Sequence, residues 1–365
     1  MTRLKESFDF DKQVLIVGTG LIGASIALAL RRAGVDVLLD DVDSEQIDVA
    51  VARGAGRRLE AADTPEVVVV AVPPQEAADT LVRVSTAYPK ATLTDVTSVK
   101  APILQAAIAS GADPARLVGG HPMAGREVSG AAGAREDLLD DRLWIITPQR
   151  DTASLHKEVT EHLIVACGAV PVVMSADDHD RAVALVSHAP QVLSSALAGL
   201  LLDAPASHVQ IAGQGLRDMT RIAGSSPTLW TEILSTNAEP VTAVLTHLVE
   251  RLQLVVNALS TAPSETASQG LEASLADGVL GRERIPGRHG SKPQGEAIAT
   301  VMIADRPGEL ARLFTAAGVA GINLEDVRIE HVLGRPSGLV ELIVAPSDLT
   351  ELVSTLQIAG FDVRL

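Results

Sequence analysis

Apolar residues in the first 174 positions fall in short, nearly unbroken runs: VLIVG, DVLLD, EVVVVAVPP, ATLTDVTS, LVGGHP, LWIITP and AVPVVM. Each is too short for a helix, and segments of helical periodicity separate them. That alternation predicts a parallel sheet with helices on both faces over residues 1–174. At Ser175 the texture changes. Ser175-Ala176-Asp177-Asp178 reads as a helix start, with a capping serine and acids in the first turn. From there to residue 260 only the helical period recurs, in VLSSALAGLLLD and then VTAVLTHLVERLQLVVNAL. His247, Glu250 and Arg251 make the second run a surface or interface helix, and a second copy of the chain is the natural cover for helices this apolar. Residues 261–295, with Ser, Gly and Pro clusters and the basic run Arg282, Arg284, Arg288 and Lys292, read as a linker with room for one short helix. Residues 296–365 read strand, helix, strand, strand, helix, strand, the order of a ferredoxin-like α+β unit.

The first strand, VLIVG, runs into glycines at 18, 20 and 23, followed by a helical run. This strand–turn–helix context fits a dinucleotide-binding, Rossmann-like domain. Gly18 permits the tight turn, Gly20 lets a pyrophosphate approach the backbone, and Gly23 lets helix and strand pack closely. Leu21 and Ile22 open the helix, whose N-terminal N–H groups and dipole would face the phosphates. After the second strand come Asp40, Asp41 and Asp43, at a distance suited to a carboxylate on a ribose hydroxyl pair. Asp41 fits better than Asp40, because V-D-S-E after it resembles the next helix start. An acid there repels a 2'-phosphate, so NAD is expected rather than NADP. Val72 and Pro73, where Pro73 and Pro74 cut the following run short, complete the cofactor side.

Composition narrows the functional classes. A formal net charge of −16 argues against nucleic acid as partner. Aromatics are only 2% of the chain while 47% is hydrophobic, so the core is aliphatic. Cys167 is the single cysteine, which excludes an internal disulfide and a thiolate metal cluster, and no metal site is expected. The charged N-terminus MTRLKESFDFDK has no signal-peptide character, and no apolar run looks long enough to span a bilayer. A cytoplasmic protein without membrane contact is the expectation.

The richest chemical segment is LVGGHPMAGREVSG, residues 117–130, which delivers His121 to a loop at the sheet's C-terminal edge. Histidine titrates nearest neutral pH and suits proton transfer beside a nicotinamide. Ser187-His188-Ala189-Pro190 lies in the helical region. GLRDMTRIAGSSPTLW places Arg221 in a polar, glycine-bearing stretch, where a guanidinium can grip a carboxylate in bidentate fashion.

Taken together, GGHPMAG after the glycine turn, SHAP, and TRIA…P..W make the chain resemble the prephenate dehydrogenases, of the bacterial kind with a C-terminal ACT domain. The likeness runs from about Lys12 to Leu365 and is weakest over the linker. It implies NAD-dependent oxidative decarboxylation of prephenate to 4-hydroxyphenylpyruvate in tyrosine biosynthesis, with arogenate as the alternative substrate. It implies that His121 accepts the ring-hydroxyl proton and that Ser98 bonds this histidine or the hydroxyl. Arg221 would hold a substrate carboxylate, Glu127 would shape the pocket, and Ser187, His188 and Trp230 match family positions. Many members have a second histidine where this chain has Gln191, which hydrogen-bonds but cannot become cationic. The all-helical region would be the dimerisation domain. In the C-terminal unit, Gly308 and Asn323 would bind a free amino acid, with tyrosine the first choice and phenylalanine the second.

Two other readings are weaker. A β-hydroxyacid dehydrogenase needs a helix lysine, and no lysine occurs between Lys157 and Lys292. A non-catalytic NAD-containing amino-acid sensor would leave His121, Ser98 and Arg221 without use.

Overall fold

The computed structural model describes residues 12–125, 130–260, 264–285, 297–331 and 337–364. The chain divides into two units, residues 1–248 and 249–365.

In the first unit the apolar runs become strands, joined in turn by helices: β1 (Val14–Val17), α1 (Leu21–Arg32), β2 (Val37–Asp40), α2 (Ser44–Ala52), the two-residue β3 (Arg57–Arg58), β4 (Val67–Val70), α3 (Pro74–Ala87), β5 (Thr92–Asp95), α4 (Ala101–Ala109), β6 (Leu117–Pro122), β7 (Leu143–Pro148), α5 (Ser154–Ala166) and β8 (Val170–Val173). They form one eight-stranded sheet in the order β3-β2-β1-β4-β5-β6-β7-β8. β1 and β4 are apolar at every position because both faces are covered. Val14 and Ile16 turn to the side packed by α1 and α5, and Leu15 and Val17 to the side packed by α3 and α4. Ile26 and Leu30 of α1 are completely buried, and burying each such side chain stabilises the fold by about 1.5–3 kcal/mol.

The sheet is not wholly parallel as expected: β7 runs antiparallel to β6, with His121 opposite Ile145. A parallel neighbour requires a crossover that returns the chain to the same sheet edge. Between β6 and β7 the described residues hold only a 3₁₀ turn, Ala131–Gly133. That turn is tied to α2, since Arg53 donates to the carbonyls of Ala132 and Ala134 and Gln46 accepts from Ala131 N.

Helices alone follow: α6 (Ala176–Val183), a π-helical turn (Ala184–His188), α7 (Ala189–Gly199), α8 (Ala206–Val209), α9 (Gln214–Thr220), a 3₁₀ turn (Arg221–Gly224), α10 (Pro227–Thr236) and α11 (Ala238–Ser260). Ser175 caps α6 by accepting from Asp178 N. By length and composition, the run Ala176–Gly199 is apolar enough to cross a membrane, contrary to the sequence expectation. Asp177, Asp178, Asp180 and Arg181 at its start interrupt the apolar pattern of that run in the sequence. Its buried face carries His179, Asp180, His188 and Gln191.

In the second unit, the stretch read as a linker with at most a short helix holds α12 (Glu265–Glu283), a helix of 19 residues capped by Ser264. Gly270, Gly278 and Gly281 within it are the residues that suggested a linker. Arg282 lies in the last turn of this helix and Arg284 is its C-cap; Arg288 and Lys292 lie outside the described residues. Next come β9 (Ala297–Ala304), α13 (Glu309–Val319), β10 (Asp326–His331), β11 (Ser337–Val344), α14 (Leu349–Ile358) and β12 (Asp362–Arg364). The four strands form an antiparallel sheet ordered β10-β11-β9-β12. Val301, Leu313, Leu342, Leu352 and Leu356 make its core.

Candidate active site

The glycine turn lies between β1 and α1. Gly18 has φ +97°, and a Cβ there would sit 2.4 Å from the Ala71 carbonyl oxygen. A Cβ on Gly23 would sit 1.9 Å from the carbonyl oxygen of Gly18. Gly20, by contrast, faces open space and precedes the first turn of α1. A bare backbone at a helix N-terminus is what a pyrophosphate needs, so these residues fit a dinucleotide. Leu21 and Ile22 begin the helix, and Val72 and Pro73 follow β4 on the same sheet edge, Pro73 capping α3. Of the two candidate acids, Asp41 turns to the turn. Its Oδ2 accepts from Thr19 N at 2.5 Å and Thr19 Oγ1 at 2.9 Å. Asp40 ends β2 and pairs with Arg83 at 3.6 Å.

His121 sits near the end of β6, at the C-terminal edge of the sheet. The glycine before it is a packing requirement. A Cβ on Gly120 would lie 2.6 Å from the Asp95 carbonyl oxygen and 2.8 Å from Nε1 of the buried Trp144. Beneath this point Lys100 and Asp95, both with fully buried side chains, form an ion pair. Lys100 Nζ also donates to Thr97 Oγ1 at 2.8 Å and to the Gly120 carbonyl at 2.7 Å. Asp95 accepts from Gly120 N and Thr97 N. Burial lowers the Lys100 pKa, and the Asp95 carboxylate acts against that shift. The half-buried Ser98 lies in the loop this pair braces.

The His121 ring does not bond Ser98. Its Nδ1 meets His179 Nε2 at 2.8 Å, with the rings edge-on at 76°. His179 Nδ1 in turn lies 2.7 Å from Asp180 Oδ1. The Asp180 carboxylate also accepts from Lys100 N and Ala101 N, both at 2.8 Å, where α4 begins. Burial, with the nearby His179, Lys100 and His188, pushes the His121 pKa well below the ordinary histidine value, so its ring is neutral at pH 7.

A second chain of contacts continues from Asp180. Asn237 Nδ2 donates to the Asp180 carbonyl at 2.9 Å and lies 3.1 Å from His188 Nδ1. His188, on the π turn beside the half-buried Ser187, meets Trp230 edge-on at 6.0 Å between centroids. Burial depresses the His188 pKa to about 4. Gln191 is buried and donates to the Ile222 carbonyl at 3.0 Å, next to Arg221. It braces the arginine segment. Arg221 is exposed and opens the 3₁₀ turn. Glu127 lies outside the described residues. In the second unit Gly308 (φ +93°) caps α13, and the exposed Asn323 donates to Glu325 Oε1 at 3.0 Å.

Reading the sequence missed Asp95, Lys100, His179, Asp180 and Asn237. A signal was present for two of them, because the acids taken as first-turn residues of α6 run directly into His179-Asp180.

Residues 26–173 match the prephenate dehydrogenase nucleotide-binding domain, and residues 175–273 match the prephenate dehydrogenase dimerization domain. A Streptomyces niveus protein described as "Probable prephenate dehydrogenase NovF" is 35% identical over 95% of this chain and 98% of its own length. The Bacillus subtilis prephenate dehydrogenase is 25% identical over 92% of each chain. Among solved structures, the prephenate dehydrogenase of Aquifex aeolicus in complex with hydroxyphenyl propionate and NAD+ is similar, with a TM-score of 0.67 and 28% identity over 74% of this chain and 97% of that one. Synechocystis arogenate dehydrogenase gives a TM-score of 0.64 and 26% identity over 74% of this chain and 99% of that one. With a nucleotide cradle, a half-buried histidine at its sheet edge and both family domains matched in order, the chain belongs to the prephenate dehydrogenase family.

Proposed function

We propose that the protein is an oxidoreductase that converts prephenate to 4-hydroxyphenylpyruvate and CO2 with NAD+, in tyrosine biosynthesis. The observation that carries this is His121: a neutral histidine at the sheet's C-terminal edge, on the edge where the glycine turn opens. Prephenate carries a hydroxyl and a carboxylate on opposite carbons of a cyclohexadiene ring. NAD+, when bound, supplies the acceptor for the hydride leaving the hydroxyl-bearing carbon. His121 takes the hydroxyl proton as the carbonyl forms. Loss of CO2 then sends the carbon–carbon pair through the ring to that oxygen, which takes the proton back as the ring becomes aromatic. No proton is released overall. The chain therefore orients the ring and holds one proton briefly.

Ser98 is assigned to the substrate hydroxyl, because the His121 Nδ1 is already engaged by His179. Arg221 would hold a carboxylate, with Ser187, His188 and Trp230 around it and Glu127 shaping the entrance. Arogenate remains the second reading, favoured by Gln191 standing where a cation is common. Gln191 bonds the Ile222 carbonyl and offers no charge to a side-chain carboxylate. Initial rates with prephenate and arogenate, each with NAD+ and NADP+, test both. Turnover of neither ring acid would sink the reading.

The helical region matches a dimerisation domain, and we take the working form to be a cytoplasmic homodimer. The C-terminal unit has the strand order of an ACT domain, and we assign it a free amino acid as effector, tyrosine first and phenylalanine second, at Gly308 and Asn323. Allosteric inhibition by tyrosine should weaken in Asn323→Ala. Purely competitive inhibition, unchanged in that variant, would mean tyrosine acts only at the active site.

A further inference from the structure

The base assigned to His121 needs one ring nitrogen bare and aimed at substrate, and a neutral imidazole has two tautomers. The surrounding hydrogen bonds choose between them. Asp180 accepts from two backbone N–H groups at the start of α4, one on each carboxylate oxygen, so both oxygens are placed as acceptors. His179 Nδ1, 2.7 Å from that carboxylate, must therefore carry a proton. In neutral His179 the Nε2 is then an acceptor, and the His121 Nδ1 at 2.8 Å must donate to it. The His121 proton is thereby fixed on Nδ1, and Nε2 is left as the bare nitrogen.

We infer that His179 and Asp180 are the positioning pair of His121, fixing its tautomer and steadying the positive charge it carries while it holds the substrate proton. The logic is that of a histidine oriented by a buried acid, with a second histidine inserted between them. Proton uptake at His121 Nε2 makes an imidazolium whose Nδ1–H points at His179, and the Asp180 carboxylate stands behind that ring. Burial, and after it His179, Lys100 and His188, act against a cation on His121; His179 opposes it only as a cation itself, whereas the ring that donates to Asp180 presents Nε2 to the His121 Nδ1–H as an acceptor. The Lys100 charge is offset by Asp95 at contact. His179 is fully buried and Asp180 3% exposed, so water does not replace the pair when it is broken. The arrangement also suits a reaction in which the proton returns to the same oxygen, since the relay ends on a carboxylate whose oxygens already accept from Lys100 N and Ala101 N.

The inference rests on His121 being the base, and its test separates the two. His179→Ala and His179→Gln are compared with wild type for kcat, kcat/KM against pH, and NAD+ binding. Glutamine can still accept from His121 and donate to Asp180. We expect His179→Ala to lose kcat by about tenfold, a part of the ~10²–10⁴ that a general base supplies. Its acidic limb in kcat/KM should move to lower pH, because the imidazolium has lost its support. NAD+ binding should stay near wild type, and His179→Gln should recover most of the rate. A loss with no movement of the limb and no recovery by glutamine would reduce His179 to a packing residue and overturn the inference. So would a wild-type profile in His179→Ala. Nitrogen NMR of ¹⁵N-histidine-labelled enzyme reads the tautomer without turnover. His121 protonated on Nδ1 in wild type and not in His179→Ala supports the inference, while an Nε2-protonated ring in wild type overturns it. Full turnover in His121→Asn would instead remove the base assignment while leaving the tautomer result standing.

Discussion

Lys100 donates its ammonium proton to the carbonyl oxygen of Gly120 at 2.7 Å, one residue before the histidine assigned as the base. The same ammonium is ion-paired to Asp95, so a fully buried charge holds the end of β6 in register with the end of β5. Breaking a buried pair by removing one partner costs about 3–5 kcal/mol. Lys100→Met should therefore lower the guanidinium midpoint of the first unit clearly, and kcat with it. A midpoint within error of wild type would show that Asp95 finds other partners.

The base and the carboxylate grip should separate kinetically. His121→Asn is expected to lose about 10²–10⁴-fold in kcat with NAD+ binding nearly unchanged. Arg221→Ala should chiefly raise KM, since a charge-assisted contact is worth about 1.5–3 kcal/mol. Steady-state kinetics with prephenate decides both. An unaltered KM would place Arg221 outside the pocket.

Asp41 turns its carboxylate onto Thr19 in the glycine turn, whereas Asp40 is paired with Arg83. Asp41→Ser should raise kcat/KM with NADP+ relative to NAD+, and Asp40→Ser should leave the ratio alone. The opposite result would move the ribose contact back by one residue.

The burial of His188 has a thermodynamic sign. Its pKa is depressed from 6.5 in the free side chain to about 4 by burial, despite the help of Asp180. Between these values the unfolded chain binds a proton that the folded chain refuses, so stability falls as pH drops from about 6.5 to about 4. The low His121 pKa acts in the same direction. Denaturant midpoints at pH 7.5 and 5 should show the decline, and His188→Gln should flatten it. An equal decline in that variant would assign the effect to other groups.

Much of the fold could be read from the sequence because its signals are local. Val14 to Val17 and Val67 to Val70 are continuous apolar runs bounded by glycine or proline, and the Ser175 cap marks the change to helices. The reversal of β7 could not be read, because direction depends on what the intervening chain does, not on the composition of LWIITP. The glycine-rich composition of α12 concealed a helix for a related reason: propensity is a weak guide where other forces decide. At the site, His121 and His188 stood out through their motifs. His179, Asp180 and Asn237 did not, because their roles appear only when α6 approaches the end of β6 and the start of α4, and the C-cap of α10 approaches α6. Lys100 was hidden by its type, since lysine is rarely expected at zero exposure.

The π turn at Ala184–His188 lies between two ordinary helical segments, one carrying His179 and Asp180 and the other Gln191. An α-helix advances about 100° per residue, and a π turn accommodates an extra residue without breaking the helix. The angular offset between the base's support and the residue bracing the arginine segment is thus set by how many residues the turn contains. A single in-frame codon deletion there would let the run close into a regular helix and swing everything from Ala189 onward by about 100°. Every catalytic side chain would still be encoded, yet the two halves of the site would face different directions. For this stretch, chain length is as much a determinant of activity as any functional group.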